Sequence, residues 1–315
     1  MQGKTTTRKT NDKTNDTPRA DIYERVTARI VESLEAGTRP WLKPWSSPTD
    51  DRLPALPLRA NGTPYRGVNI LLLWGAAIDG GYRSNVWMTY KQAEEKGAHV
   101  RKGERGSLVV YADRYTKHET DDRGEESERE IAFLKGYTVF NVEQIEGLPA
   151  ELYTPPAPID DGRTPELIEE AEAFIARTGA TVRHGGGRAF YSTASDHIQM
   201  PPPQAFKDAE SYTATKAHEL VHWTGHASRN AREFGKRFGD RAYAFEELVA
   251  ELGAAFLCAD LGITPEPRED HASYLAHWLK VLKEDKRAIF TAASHAQKAA
   301  DFLHGLQEVK QDQAA

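Results

Sequence analysis

Two histidines four residues apart bracket a glutamate in the run His218-Glu219-Leu220-Val221-His222. On an α-helix residues i and i+4 share a face about one turn apart, so both imidazoles can be aimed at one metal ion. Glu219 stands beside them, where its carboxylate can take a proton from a water molecule at such an ion. The chemistry on offer is metal-assisted hydrolysis, and zinc is the ordinary ion for two His and one carboxylate. The five-residue pattern alone recurs by chance in many proteins. The third ligand decides.

Six residues past His222, where a metzincin carries its third histidine, stands Ser228, although Gly225 matches that pattern's glycine. His226 would place three histidines in a row along one helix, which does not converge on a tetrahedral ion, and Gly225 is expected to end the helix before it. A better source lies downstream, in the run from Phe245 to Ala255. Glu247 and Glu251 share a helix face there, beside Leu248, Leu252 and Ala255. Carboxylates among such neighbours are seldom buried unless paired or bound to metal. A Glu followed four residues later by a second acid, after a His-Glu-x-x-His helix, resembles the gluzincin arrangement. There the first carboxylate binds zinc and the second accepts a hydrogen bond from a ligand histidine. On that resemblance Glu247 is the third ligand and Glu251 its supporting acid. The reverse assignment, and two solvated glutamates on a surface helix, stay open.

Helices must carry these groups, and from Ser211 onward the chain has helical periodicity almost to its end. Ahead of it, Pro165 to Arg177 is expected as a helix. Thr181 to Arg183 and Arg188 to Tyr191 are expected as a hairpin about the turn His184 to Gly187, with Asp196 to Met200 as a third short strand. The stretch Arg188 to Met200 offers an edge for holding an extended peptide by strand addition, with a purely structural hairpin as the equal alternative. Asp196, His197, Tyr212 and Tyr274 are candidate substrate-facing groups, and nothing in their spacing selects among them.

Nearer the N-terminus, Asp21 is a plausible cap for a helix from Ile22 to Ala36, whose apolar positions Ile22, Val26, Ile30 and Leu34 recur every four residues. Tyr65 to Trp74 begins a short buried helix, Asn85 to Tyr90 alternates like a strand, and Lys91 to Lys96 is helical. Leu108 to Tyr111 and Tyr137 to Val142 are expected as paired strands, with the charged stretch Glu119 to Glu130 as their solvated loop. A Pro-rich break from Tyr153 to Pro158 marks a domain boundary. The expected architecture is α+β with two domains. A disordered tail (1–19) precedes a small mixed domain (20–150), a linker (151–163) and a mainly helical domain with a short antiparallel sheet (164–310).

At 315 residues the chain is long enough for two cores. Its one cysteine, Cys258, sits in an apolar run and suits a buried helical thiol better than a nucleophile. No apolar stretch approaches the ~18 residues of a membrane span, and the polar N-terminus lacks a signal core, so a cytoplasmic protein is expected. The net charge of −6 is unevenly spread: residues 1–110 hold 18 Lys/Arg against 12 Asp/Glu, and residues 151–315 hold 18 against 25. A basic front and an acidic back suggest different partners, and the modest balance argues against an acidic mimic of DNA.

Single-stranded nucleic acid is bound by aromatic platforms interleaved with cations. The front half carries Trp41, Trp45, Tyr65, Trp87 and Tyr90 among Arg66, Lys91, Arg101, Lys102 and Arg105. The turn from Arg101 to Gly106 is basic and could approach a phosphate backbone; an ordinary solvated turn is the plain alternative.

Taken together, several stretches resemble the ArdC-type antirestriction proteins of conjugative plasmids and related mobile elements. They are Pro40-Trp41 to Trp45, Tyr65 to Trp74, Trp87 to Ala93, Arg101 to Glu104, Val139 to Ile145, His218 to His226 and Tyr243 to Cys258. The resemblance spans roughly residues 20 to 305. It implies an N-terminal domain that binds single-stranded DNA and a C-terminal zincin-like metallopeptidase domain. It also implies protection of incoming DNA from host restriction, with an unknown peptide or a host restriction component as substrate. The N-terminal domain of this family also occurs fused to plasmid primases, but no primase motif follows here.

Overall fold

The computed structural model describes residues 21–41, 55–120, 126–153, 164–235, 240–263 and 271–311. The expected tail, Trp45 and nearly all of the expected linker lie outside the described residues.

Asp21 accepts a hydrogen bond from the Tyr23 amide at 3.3 Å and starts helix α1 (Ile22–Glu35), which buries Val26, Ile30 and Leu34 as their four-residue spacing requires. Strand β1 (Leu58–Arg59) leads to the apolar helix α2 (Val68–Gly80), then to β2 (Val86–Met88) and α3 (Tyr90–Glu95). Thr89 and Gln92 form a reciprocal capping box that turns the chain from β2 into α3. Next come β3 (His99–Val100), the long strands β4 (Ser107–Thr120) and β5 (Glu126–Asn141), and β6 (Ile145–Glu146). β1, β2, β5 and β4 make one sheet in that order, and β3 pairs with β6.

The second part opens with α4 (Thr164–Arg177) and the strands β7 (Thr181–His184), β8 (Phe190–Ser192) and β9 (His197–Met200). Helices α5 (Ala209–Thr224), α6 (Arg241–Leu261), α7 (His271–Glu284) and α8 (Ala288–Gln311) complete it. The α+β class stands. No helix among the described residues is long and apolar enough to cross a membrane.

Two local expectations are overturned. Glu119 to Glu130 is not one solvated loop: β4 and β5 stay paired out to Thr120 and Glu126, leaving only residues 121–125 between the strands. The stretch is charged and carries no apolar alternation, so the strand was hidden in the sequence. The Arg114–Glu130 ion pair at 3.0 Å spans it. The expected hairpin is also absent. β9 lies between its neighbours, parallel to β7 and antiparallel to β8, so this small sheet is mixed. β9 is the strand that buries His197, Ile198 and Met200, and a central strand must be the most apolar one.

The largest core draws on both ends of the chain. Val26, Ile30 and Leu34 of α1 and Ile70 to Leu72 of α2 pack with Leu248, Leu252 and Phe256 of α6, Trp278 of α7 and Ile289 of α8. A second core joins α4, the mixed sheet, α5 and the C-terminal end of α6, with Cys258 inside it. Burial pushes that thiol up to about 12, with the Glu251 charge adding to the effect, which leaves it inert as a nucleophile.

Candidate metal centre

Asp208 caps α5 through the Ser211 amide at 2.8 Å, and Gly225 ends it. A Cβ at position 225 would lie 2.7 Å from the Phe234 ring and 2.9 Å from the Arg232 guanidinium, so a larger residue here would push aside the side chains that fold back over the helix end. The chain then folds back, and His226 bonds Ser228 at 2.8 Å, away from the helix face that His218 and His222 share. That face, with Glu219, is buried against α6.

On α6 three glutamates are buried in turn: Glu246, Glu247 and Glu251. One ligand atom each from His218, His222 and Glu247 lie within 4.8 Å of one another. The two Glu247 oxygens face the two Nε2 atoms, at 3.6 Å from His218 and 3.4 Å from His222. Each imidazole turns its other nitrogen to a different carboxylate. His222 Nδ1 is 3.1 Å from Glu246 Oε1, and His218 Nδ1 is 3.8 Å from Glu251 Oε2. A carboxylate behind each imidazole is how ligand histidines are held in one tautomer and orientation. Glu247 thus occupies the converging position and Glu251 the backing one.

Sequence reasoning missed Glu246 and its anchor. Arg232 grips Glu246 with Nε at 3.0 Å and Nη2 at 2.8 Å, and also donates to the Val221 carbonyl and to Thr224 Oγ1. Burial opposes charge on these groups, yet His222 and Arg232 hold Glu246 below the usual carboxylate range. Glu247 is likewise pulled down against its burial by His222 and His218. Burial would lower His222, but Glu247 and Glu246 outweigh it and hold its imidazole up at about 10. The donor set itself fits a divalent ion. Four glutamates, Glu219, Glu246, Glu247 and Glu251, are buried on these two helices, and two guanidiniums face them, Arg232 on Glu246 and Arg39 on Glu251. With both imidazoles neutral, two negative charges remain, and a divalent cation would balance them.

Of the four candidate substrate-facing groups, Tyr274 alone is linked to this cluster. Its hydroxyl lies 3.1 Å from that of Tyr243, whose acidity is suppressed first by burial, then by Tyr274 and the nearby Glu247 charge. Asp196 is clamped by Arg229 and Tyr191, Tyr212 bonds His184 at 2.8 Å, and His197 bonds Ser195 at 2.7 Å.

The residues expected to contact DNA divide sharply. Trp41, Tyr65 and Trp87 are buried in the cores, so no base can stack on their faces, and these three assignments are corrected. Tyr65 lies under Arg59, at 5.3 Å. Tyr90 is exposed, as are Lys91 beside Glu95 and Arg66, which is paired with Asp301 on α8. Arg101 is tied to Glu104 at 2.6 Å, while Lys102 and Arg105 are solvated on the same turn. The exposed aromatics that the sequence reading missed are on the ribbon: Tyr111 and Tyr137, with ring centres 6.4 Å apart, beside Phe133 and Lys135. They share the strand face of the buried Val109 and Val139, two residues away, so alternation alone pointed to burial and offered no signal for them.

A family model for zincin-like metallopeptidases matches residues 169–295, and one for the N-terminal domain of anti-restriction factor ArdC matches residues 20–140. The crystal structure of the antirestriction ArdC protein from plasmid R388, in its metal-free form, superimposes with a TM-score of 0.75 at 48% identity, covering 91% of this chain and 97% of that one. The Mn(II)-bound form of the same protein gives 0.72 at 46% identity, covering 91% and 98%. The y4eC protein of Sinorhizobium fredii is 46% identical over 306 residues, 95% of this chain and 96% of its own. A DNA primase, TraC, from Escherichia coli is 39% identical across 90% of this chain, which spans only 27% of the primase. The chain belongs to the ArdC-type antirestriction family, an N-terminal ArdC domain followed by a zincin-like metallopeptidase domain.

Proposed function

We propose that this chain binds single-stranded DNA through its residues 20–150 and holds one zinc ion through His218, His222 and Glu247 in a metallopeptidase-type site, protecting incoming DNA from host restriction. The observation that carries the catalytic part is the convergence of those three side chains, each imidazole backed by its own buried carboxylate. The Mn(II) bound by the R388 protein supports a divalent ion here, and the two-His, one-Glu donor set favours zinc. When bound, the ion supplies Lewis-acid polarisation of a peptide carbonyl. Glu246 and Glu251 fix the two imidazoles, and Glu219, buried next to His218 in the chain, is the base that takes a proton from the attacking water.

For DNA, the exposed pair Tyr111 and Tyr137 with Lys135, and the turn bearing Lys102 and Arg105, supply stacking faces and cations. The test is transfer of a plasmid into a restricting recipient with wild type, Glu219→Gln and His222→Ala. Loss of protection in Glu219→Gln with its zinc retained supports hydrolysis. Full protection by that variant would make the metal a structural support and the protein a DNA shield.

A further inference from the structure

Trp41 was a stacking candidate by residue type, yet it is 2% exposed and sits against the outer side of the metal centre. Its indole Nε1 donates to Glu251 Oε1 at 3.3 Å, and Arg39 Nη1 lies 3.6 Å from the same oxygen. Both groups therefore engage one oxygen of Glu251, and the other, Oε2, faces His218 Nδ1. A buried carboxylate tied in this way cannot swing round to offer both oxygens inward. At 3.8 Å its Oε2 is beyond hydrogen-bond distance, yet it stands on the Nδ1 side of His218, which favours a proton there and leaves the Nε2 lone pair toward Glu247.

The arrangement behind His222 is the same in kind. There the backing carboxylate is Glu246 and the guanidinium is Arg232, from the loop that follows α5. Behind His218 the guanidinium comes from Arg39, on the segment after α1, more than two hundred residues before Glu251 in sequence. The indole ring is itself wedged edge-on against Trp278 at 6.1 Å, so the donor atom is placed by the shared core and not by a free loop.

We infer that Trp41 and Arg39 are positioning residues of the metal centre: the N-terminal part of the chain completes the second layer of a site whose ligands are all C-terminal. This rests on the metal reading of the site. The consequence is that zinc affinity depends on N-terminal side chains that touch no ligand.

The test uses the full chain, with zinc affinity measured by chelator competition and the stability of the stripped protein measured separately in urea. Trp41→Phe keeps the packed ring and deletes the donor. It should weaken zinc binding by about three- to tenfold, and Glu251→Gln by about ten- to a hundredfold. Arg39→Gln, at a side chain 19% exposed, should act in the same direction as Trp41→Phe and checks the result should the latter fold poorly. The decisive readout is the double variant. If Trp41 acts through Glu251, Trp41→Phe adds little once Glu251→Gln is present. Unchanged zinc affinity in both Trp41→Phe and Arg39→Gln, or effects that add in full to that of Glu251→Gln, would overturn the inference. A wild-type chain that takes up no zinc would instead remove the metal reading itself, and this proposal with it.

Discussion

Gly253 and Val221 set the separation of the two helices that carry the metal centre: a methyl group on residue 253 would stand 2.8 Å from Val221 Cγ1. That contact is part of a fully buried seam, and Val221 lies on the turn between His218 and His222. Gly253→Ala should therefore force α5 and α6 apart. We expect a loss of about 1–3 kcal/mol in stability, as for other overpacked cores, together with weaker zinc binding. Urea unfolding and chelator competition on the same sample check it; an unchanged zinc affinity would mean that the helices tolerate the shift.

Arg232 and Glu246 are both almost wholly buried, with side chains 3% and 4% exposed. Arg232→Met leaves the carboxylate with His222 as its remaining charged partner and also removes donors from the Val221 carbonyl and Thr224. Breaking a buried pair from one side costs about 3–5 kcal/mol. Urea unfolding of the stripped protein should show a loss of that order, and a loss below about 1 kcal/mol would contradict the pairing.

Acid sensitivity has a separate source. Arg229 holds Asp196 down to about 2, against an ordinary value of 3.8, with burial opposing and Tyr191 assisting. A depressed folded pKa contributes stability that is complete above the unfolded value and is lost as pH falls through the folded one. The advantage of wild type over Asp196→Asn should thus be constant above about pH 4 and shrink between about pH 4 and pH 2. Denaturation midpoints of both proteins across that window give the answer. A gap that stays constant down to pH 2 would exclude the pair as the cause.

The ribbon face offers a test of DNA contact. Tyr111→Leu with Tyr137→Leu should weaken binding of a labelled thymidine oligomer by about tenfold, since a stacked base contributes ~1–3 kcal/mol. The salt slope should barely change, whereas Lys102→Ala with Arg105→Ala should flatten it by about 0.7 per lost phosphate contact. Fluorescence anisotropy at several salt concentrations separates the two effects. Full-strength binding by the double tyrosine variant would place the DNA elsewhere. The full chain is needed for this, because α1 and α2 share their core with α6, α7 and α8.

The pattern of legibility follows the range of the interactions. His218, Glu219 and His222 lie within five residues on one helix, so spacing alone shows that they share a face. Glu247 was marked by an acid set among apolar neighbours. Glu246 was not, because its function depends on Arg232, which reaches it only after the chain reverses at Gly225. Trp41 was misassigned for a related reason. An aromatic between prolines has the same composition whether a base or Trp278 lies on it, and only the shared core decides. The polar ribbon beyond Tyr111 escaped notice because its run of charged residues has no apolar period to detect, although its backbone is paired throughout.

The proposed centre needs His218, His222 and Glu247 on one ion, and elemental analysis of zinc after exhaustive dialysis tests whether they hold it. Wild type and Glu251→Ala should retain about one zinc per chain, the latter with roughly 10–100-fold weaker affinity, while His222→Ala and Glu247→Ala should retain none. Full occupancy in His222→Ala, or loss in Glu251→Ala with retention in Glu247→Ala, would contradict the ligand set.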